Sequence, residues 1–345
     1  MEQVSTNSST VENNAKKLGL RELTSLAAGQ VIGAGIVTLV GQAIGLTGRS
    51  VWLAYLTAVI IGFVIIIPYI MLSSMIRVKG GNYSFVASIL GEKWGGMYGM
   101  AFTLNALACG MFGLAFATYL NSMVPGLNTK IVAVVVVTVF YVVNLMGVNF
   151  MAKIQSYMTI TLFLGLGLFI VVGFTNLRPG TFAFSSPDFF TNGADGFIAA
   201  VLILIFSCTG HSFVVAYSGD SKKPRKDIPL AIILASGIIL VLYTSVALVA
   251  GGVVPIKEAA GQPLTIVATK ILGNPLSYIF VIGGPLAALT TTLNSSFGVF
   301  SKPVLQMSKD GWFPSRFARL NRYGSPYLVL TVLYAMAVIP VIAGL

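Results

Sequence analysis

The chain of 345 residues carries 21 Lys and Arg against 10 Asp and Glu, a formal charge of +11, yet only 9% of it is charged and 56% is apolar. A soluble domain carries about 25% charged residues, so this composition excludes an ordinary soluble protein. Apolar stretches of about 20 residues, the length that crosses a hydrocarbon core, recur along nearly the whole sequence.

Residues 1–17 are polar and predict a disordered cytoplasmic tail; no secretory signal precedes the first apolar segment. From residue 18 to 345 the sequence predicts a single all-α, polytopic transmembrane domain. Nine spans are expected, over 22–46, 51–76, 93–123, 129–149, 154–176, 196–218, 229–252, 276–306 and 326–345. The segment 80–91 is too short to span and is expected to lie along a membrane surface. The connections 177–195 and 253–275 each have room for a short surface helix. Cys109 and Cys208 fall inside apolar stretches and read as small core hydrophobes, not as a disulfide or a metal pair.

With the N-terminus placed inside, sixteen of the 21 basic residues fall in inner segments and five (Arg49, Lys130, Arg178, Lys257, Lys270) in outer ones. That bias predicts a multi-pass protein of the cell membrane with a cytoplasmic N-terminus. It also accounts for the basic charge through topology and anionic inner-leaflet lipid, without a nucleic-acid partner.

Almost no Asp, Glu, Lys or Arg lies deep in a span; Lys302 sits near an inner end, where it can snorkel. This argues against a carboxylate proton relay. A polar ligand must then be held by backbone groups, hydroxyls and the single histidine, His211. Such chemistry points to helices that unwind within the membrane, where freed N–H groups face anions and freed carbonyls face cations. Two segments fit. Gly29–Gln30–Val31–Ile32–Gly33–Ala34–Gly35–Ile36 interrupts span one, and Phe206–Ser207–Cys208–Thr209–Gly210–His211 interrupts span six. Taken alone, the first also reads as a small-residue packing face. Spans one and six open successive five-span units, the placement expected of a transporter binding site. Neither a nucleophile–base pair, nor clustered metal ligands, nor a nucleotide-binding motif is present, so an enzyme and an ATP-driven pump are not expected.

Four motifs in order give a resemblance. GQVIGAGIV at 29–37, GGNYSFVASILG at 80–91, FSCTGHSFVVAYSGDSKKPRKDIPLAI at 206–232 and LNSSFGVFSKPVLQMSKDGWFPSRFARLNRYGSPYLV at 293–329 are similar to segments of the amino acid–polyamine–organocation superfamily of permeases. The resemblance implies a LeuT-type fold of two inverted five-helix repeats with helices 1 and 6 discontinuous. By position it puts a substrate carboxylate on the amides of Ala34, Gly35 and Ile36, beside Gly33. It puts the substrate ammonium on carbonyls around Val31, Ile32, Phe206, Ser207 and Thr209, beside Gly210. Phe206 matches an aromatic that closes over substrate. His211 stands where the family usually has a bulky apolar residue and reads either as a substrate contact or as a neutral histidine bonded to a freed carbonyl.

The family usually has about twelve spans, so with nine the second inverted repeat is incomplete. For the coupling ion, Ser295 and Ser296 resemble the hydroxyl pair that joins carbonyls, here those of Gly29 and Ile32, around Na⁺ in sodium-coupled relatives of the fold. Ser hydroxyls also commonly bond their own helix. Leu162 stands where some proton-coupled members place a lysine. No cofactor is expected beyond Na⁺ or H⁺. The expected function is a secondary active transporter of amino acids, neutral ones foremost because no buried acidic or basic residue awaits a charged side chain. The alternative is a nontransporting membrane sensor on the same fold.

Overall fold

The computed structural model describes residues 17–33, 35–76 and 79–344, apart from the side chain of Asn274. The tail predicted over 1–17 therefore lies outside the described residues except for Lys17, and so does Ala34. The described residues form helices and turns, with one isolated parallel bridge between Leu18 and Ser221.

Among the described residues, nine helical passes follow one another. The first consists of α1 (Leu20–Val31), a π-helical turn (Gly35–Leu39) and α2 (Val40–Thr47). The second is α3 (Val51–Met75), and a surface helix α4 (Asn82–Leu90) leads to the third, α5 (Glu92–Thr103) with α6 (Leu107–Met123). The fourth is α7 (Thr129–Leu145) and the fifth α8 (Val148–Thr175). The sixth joins α9 (Gly193–Cys208) to a 3₁₀ segment (His211–Asp220), and the seventh is α10 (Pro224–Gly252). After α11 (Ile256–Ala259), α12 (Leu264–Val281) turns at Gly273 (φ 68°) into the eighth pass, which continues through a π-turn (Ile282–Leu286) into α13 (Ala287–Lys309). The ninth is α14 (Tyr327–Ala343). Residues 177–192 form turns without a helix, because Pro179, Gly180 and Pro187 interrupt the segment, so only the second of the two long connections holds surface helices.

The outward faces are apolar, with Val64, Met71, Met111, Leu164 and Val171 each more than half exposed, the pattern of a surface made for lipid. Against lipid, apolar burial does little to bring helices together, and close packing and interhelical hydrogen bonds take over. Passes five and eight show the packing term. A Cβ on Gly165 would lie 2.3 Å from the carbonyl carbon of Gly283, so the two backbones touch where neither residue has a side chain.

Helix α13 shows the hydrogen-bond term. It is buried along nearly its whole length and carries Thr291, Thr292, Asn294, Ser295 and Ser296 within the core. Asn294 Nδ2 donates to Gln155 Oε1 of pass five at 2.8 Å. Asn144 Nδ2 of pass four donates to the Asn294 carbonyl at 3.1 Å, and Tyr217 of pass six donates its hydroxyl to the Ser295 carbonyl at 3.3 Å. Each such bond is worth on average about 0.6 kcal/mol in a membrane protein. At the basic end the Lys302 ammonium pairs with Asp220 at 2.7 Å.

Gly165→Leu is therefore expected to destabilise the detergent-solubilised protein by about 1–3 kcal/mol, the usual cost of overpacking. Gly167→Leu on the same helix, where a Cβ meets nothing within 4 Å, is expected to leave the melting temperature unchanged. Equal melting temperatures for the two variants in a thermal-shift assay would refute the proposed backbone contact.

Candidate functional site: two helix breaks in contact

The first break follows from glycines pressed by three other passes. Helix α1 ends at Val31, and Ile32 leaves helical geometry at φ −77°, ψ 82°. A Cβ on Gly29 would meet Gln155 Nε2, one on Gly33 would lie 2.4 Å from Thr292 Oγ1, and one on Gly35 would lie 2.5 Å from Ser207 Cβ. The second break needs Gly210, which sits at φ 125°, a conformation closed to side chains. Thr209 before it is extended (φ −102°, ψ 161°). Gly210 faces pass one, since its Cβ would stand 3.5 Å from the Gln30 carbonyl oxygen. The structure thus brings the two predicted segments together.

The individual positions divide. Gly35 and Ile36 open the second half of pass one, where the first amides of a helix have no acceptor of their own. Ala34, predicted to share that role, lies outside the described residues. The Val31 carbonyl, predicted to face an ammonium, instead accepts from the Tyr243 hydroxyl at 2.9 Å and from the Gly33 N–H at 2.8 Å. Both of its lone pairs are thereby engaged. The Phe206 carbonyl accepts from Thr209 Oγ1 at 3.1 Å, and Ser207 Oγ donates to the Leu204 carbonyl at 2.8 Å. The Phe206 ring is 80% exposed, so it covers neither break in this conformation. Its direction depends on how pass six is rotated about its axis, which the residue's place in the motif does not specify.

His211 is buried to 2% exposure, and neither ring nitrogen has a hydrogen-bond partner among the described residues. The bond to a freed carbonyl considered for it is absent. What the break provides is a buried imidazole with unused hydrogen-bonding capacity.

The Na⁺ reading requires free lone pairs on Gly29, Ile32, Ser295 and Ser296. Thr292 Oγ1 donates to the Gly29 carbonyl at 3.1 Å. Ser295 Oγ donates to Gln30 Oε1 at 2.5 Å, and Gln30 Nε2 donates to Ser296 Oγ at 3.2 Å. The Gln30 amide therefore bridges the two serines, placing an N–H donor on Ser296. A cation there would have to displace the Gln30 amide from between the two serines. The signal for Gln30 lay in the sequence, as a polar side chain inside the glycine motif. Its serine partners lie more than 260 residues away, and no local pattern pairs them.

Other residues gained by the site are Tyr243, Thr292 and Gln155. Tyr243 stacks edge-on against Tyr55 at 5.5 Å between ring centroids while capping Val31. Gln155 is fully buried, and its Nε2 has no partner among the described residues.

Comparison with known proteins bears on the family and not on these individual positions. A family model described as amino acid permease matches residues 18–345. The branched-chain amino acid permease BcaP of Bacillus subtilis (strain 168) is 25% identical over 338 residues, covering 91% of this chain and 71% of the relative. The cadaverine/lysine antiporter of Escherichia coli (strain K12) is 25% identical over 326 residues, covering 91% and 72%. The methylthioribose transporter of Bacillus subtilis (strain 168) is 26% identical over 329 residues, covering 89% and 70%. The family and these relatives are named as permeases and transporters, not as enzymes.

Gly35→Val is expected to abolish ligand binding while membrane insertion is retained. Its branched Cβ would collide with Ser207 Cβ, which cannot swing aside as the end of a long chain could. Thermal-shift titration of the inserted, purified variant checks this, and a ligand response equal to the wild type would remove the contact between breaks from the site.

Proposed function

This chain belongs to the amino acid permease family, and from that membership we propose that it carries neutral amino acids by alternating access, working as a sodium-independent exchanger. The broader statement needs no proposal: it is a multi-pass membrane transporter for amino acids or related substrates. The narrower one rests on the contact between the two breaks, where a Gly35 Cβ would stand 2.5 Å from Ser207. A zwitterion needs an anion site beside a cation site. The Gly35 and Ile36 amides at a helix start supply the first, and carbonyls of the unwound stretches around Ile32 and Ser207 supply the second.

Neutral side chains are favoured by what the breaks contain. Among the described residues, no Asp, Glu, Lys or Arg lies between Leu23 and Gly48 or between Gly196 and Gly219. A charged side chain carried into that space would be desolvated without a counter-ion, at a cost of several kcal/mol. The relatives' own names span branched-chain amino acids, cadaverine with lysine, and methylthioribose, so the substrate is argued from these residues. Exchange is favoured because Gln30 takes up the two serine hydroxyls that would hold Na⁺. The charge bias supports a cytoplasmic N-terminus in a cell membrane.

The test is counterflow in proteoliposomes preloaded with single amino acids. Labelled leucine or alanine is expected to accumulate against an unlabelled neutral amino acid, at the same rate in Na⁺ and in choline, while lysine and cadaverine elicit none. A requirement for Na⁺ would overturn the role given to Gln30, and an inward proton gradient that drives net uptake would replace exchange by proton coupling. Ligand binding without counterflow would make the protein a sensor.

A further inference from the structure

At the basic end of the bundle a cavity of about 380 Å³ opens between the start of pass one, the start of pass five and the connection after pass six. Lys17, Arg21, Lys153 and Lys222 converge on it from these three segments, against the single carboxylate of Glu22. That carboxylate is already engaged, because Glu22 Oε2 accepts the Gly19 N–H at 3.0 Å. None of the four cations has an ion-pair partner among the described residues. Four mutually repelling charges gathered around a hollow make a site for an anion with several oxygen acceptors, which is what a phosphate group offers.

The cavity is not closed toward the lipid. Its wall continues along pass five to Tyr157 and Ile160, 62% and 43% exposed, on the same helical face as Lys153. Arg21 also borders a second cavity, of about 470 Å³ between passes one, five and seven, walled by the hydroxyl residues Thr24, Ser25 and Thr159 and, further along, by Phe163, Leu234 and Ile238. Phe163, Leu234 and Ile238 in turn border a third, which runs on to Gly237 and Val241. A cationic pocket thus adjoins, across Arg21, a groove that becomes apolar along passes five and seven. From Pro224 to Leu234 a helix rises roughly 15 Å, half of a hydrocarbon core about 30 Å thick, so the groove reaches the depth of an acyl chain from one leaflet.

We propose that this compartment binds one anionic phospholipid, its phosphate among Arg21, Lys153, Lys17 and Lys222 and an acyl chain in the groove beside Phe163 and Ile238. A soluble phosphate would use the cations and leave the groove unfilled; a zwitterionic lipid would bring its own cation to the site. The bound lipid joins α1, directly ahead of the first break, to Lys222, directly after the second broken pass. It therefore stabilises the conformation in which these segments lie together. The proposal rests on the inward orientation of the basic end only for which leaflet supplies the lipid. The following test uses nanodiscs with the same lipid on both faces, so a wrong orientation leaves it intact, and it involves no transport substrate.

The full chain is placed in phosphatidylcholine nanodiscs with and without phosphatidylglycerol, and its melting temperature and the lipid retained on release in native mass spectrometry are measured. Phosphatidylglycerol is expected to raise the melting temperature and to remain bound at one molecule per chain. The double variant Arg21→Gln with Lys153→Gln is expected to lose that increment and to weaken retention about thirtyfold, at about 1 kcal/mol per charge. Its melting temperature in pure phosphatidylcholine should stay at the wild-type value. Lys309→Gln with Arg322→Gln, cations of the same end outside the cavity, should retain the full response. Ile238→Trp, which fills the groove, should lower retention with all four cations in place. An undiminished phosphatidylglycerol response in the Arg21 and Lys153 variant would overturn the site in favour of diffuse surface charge. A response reproduced by inorganic phosphate, or unaffected by Ile238→Trp, would overturn the lipid as its occupant.

Discussion

A chain that interrupts a helix within hydrocarbon must find partners for the backbone groups it frees, because lipid supplies none. This requirement organises the bundle. Two passes are interrupted, at Ile32–Gly33 and at Thr209–Gly210; near the first, the eighth pass supplies a donor to the Gly29 carbonyl and the seventh supplies one to the Val31 carbonyl. The hydroxyls and amides of the eighth pass would be a poor choice for a helix facing lipid. Placed in the centre, they bond to passes one and five, while main-chain carbonyls of the same helix accept from passes four and six. The average energy of such a bond is small, about 0.6 kcal/mol, whereas leaving a buried group unpaired costs about 1–3 kcal/mol. The seam therefore adds little stability of its own and chiefly penalises any other arrangement of the passes around it.

The same reasoning separates groups already satisfied from groups available to a ligand. Val31 and Gly29 keep carbonyls near the first break, but Tyr243, Gly33 and Thr292 have claimed them. The Gln30 amide occupies the two serines that a cation would require. What remains open is narrower: the first amides after the break and, without a partner among the described residues, the imidazole of His211 and the amide nitrogen of Gln155. A transporter must bind substrate and release it, and a site with few unsatisfied groups suits a ligand that is held weakly and let go.

Much of this architecture was legible in the sequence, and the reasons differ by element. The passes were readable because crossing a membrane demands length and apolarity, both local properties. The breaks were readable because Gly29, Gly33, Gly35 and Gly210 stand where a side chain would collide or could not adopt the backbone angle. Contacts set by tertiary packing were not readable. Tyr243 reaches Val31 from pass seven, and Gln30 reaches Ser295 from pass one. The exposure of the Phe206 ring depends on the rotation of a whole helix. Buried Asn and Gln in apolar stretches were a usable signal, since such groups are costly there, but their presence does not say which will pair with which.

The bridge at Leu18 has a consequence for how this protein can vary. Leu18 donates its N–H to the Asp220 carbonyl at 2.8 Å and accepts from the Lys222 N–H at 3.0 Å, so the entry to pass one is stitched to the exit of pass six by main chain alone. The stitch uses no side chain, so only proline at Leu18 or Lys222, lacking the N–H, would cut it. A one-residue insertion or deletion between Leu18 and the first break would instead pull it out of register. The bridge thus constrains the length of this segment, a demand separate from those its side chains meet in the core, the ion pair and the cationic cavity.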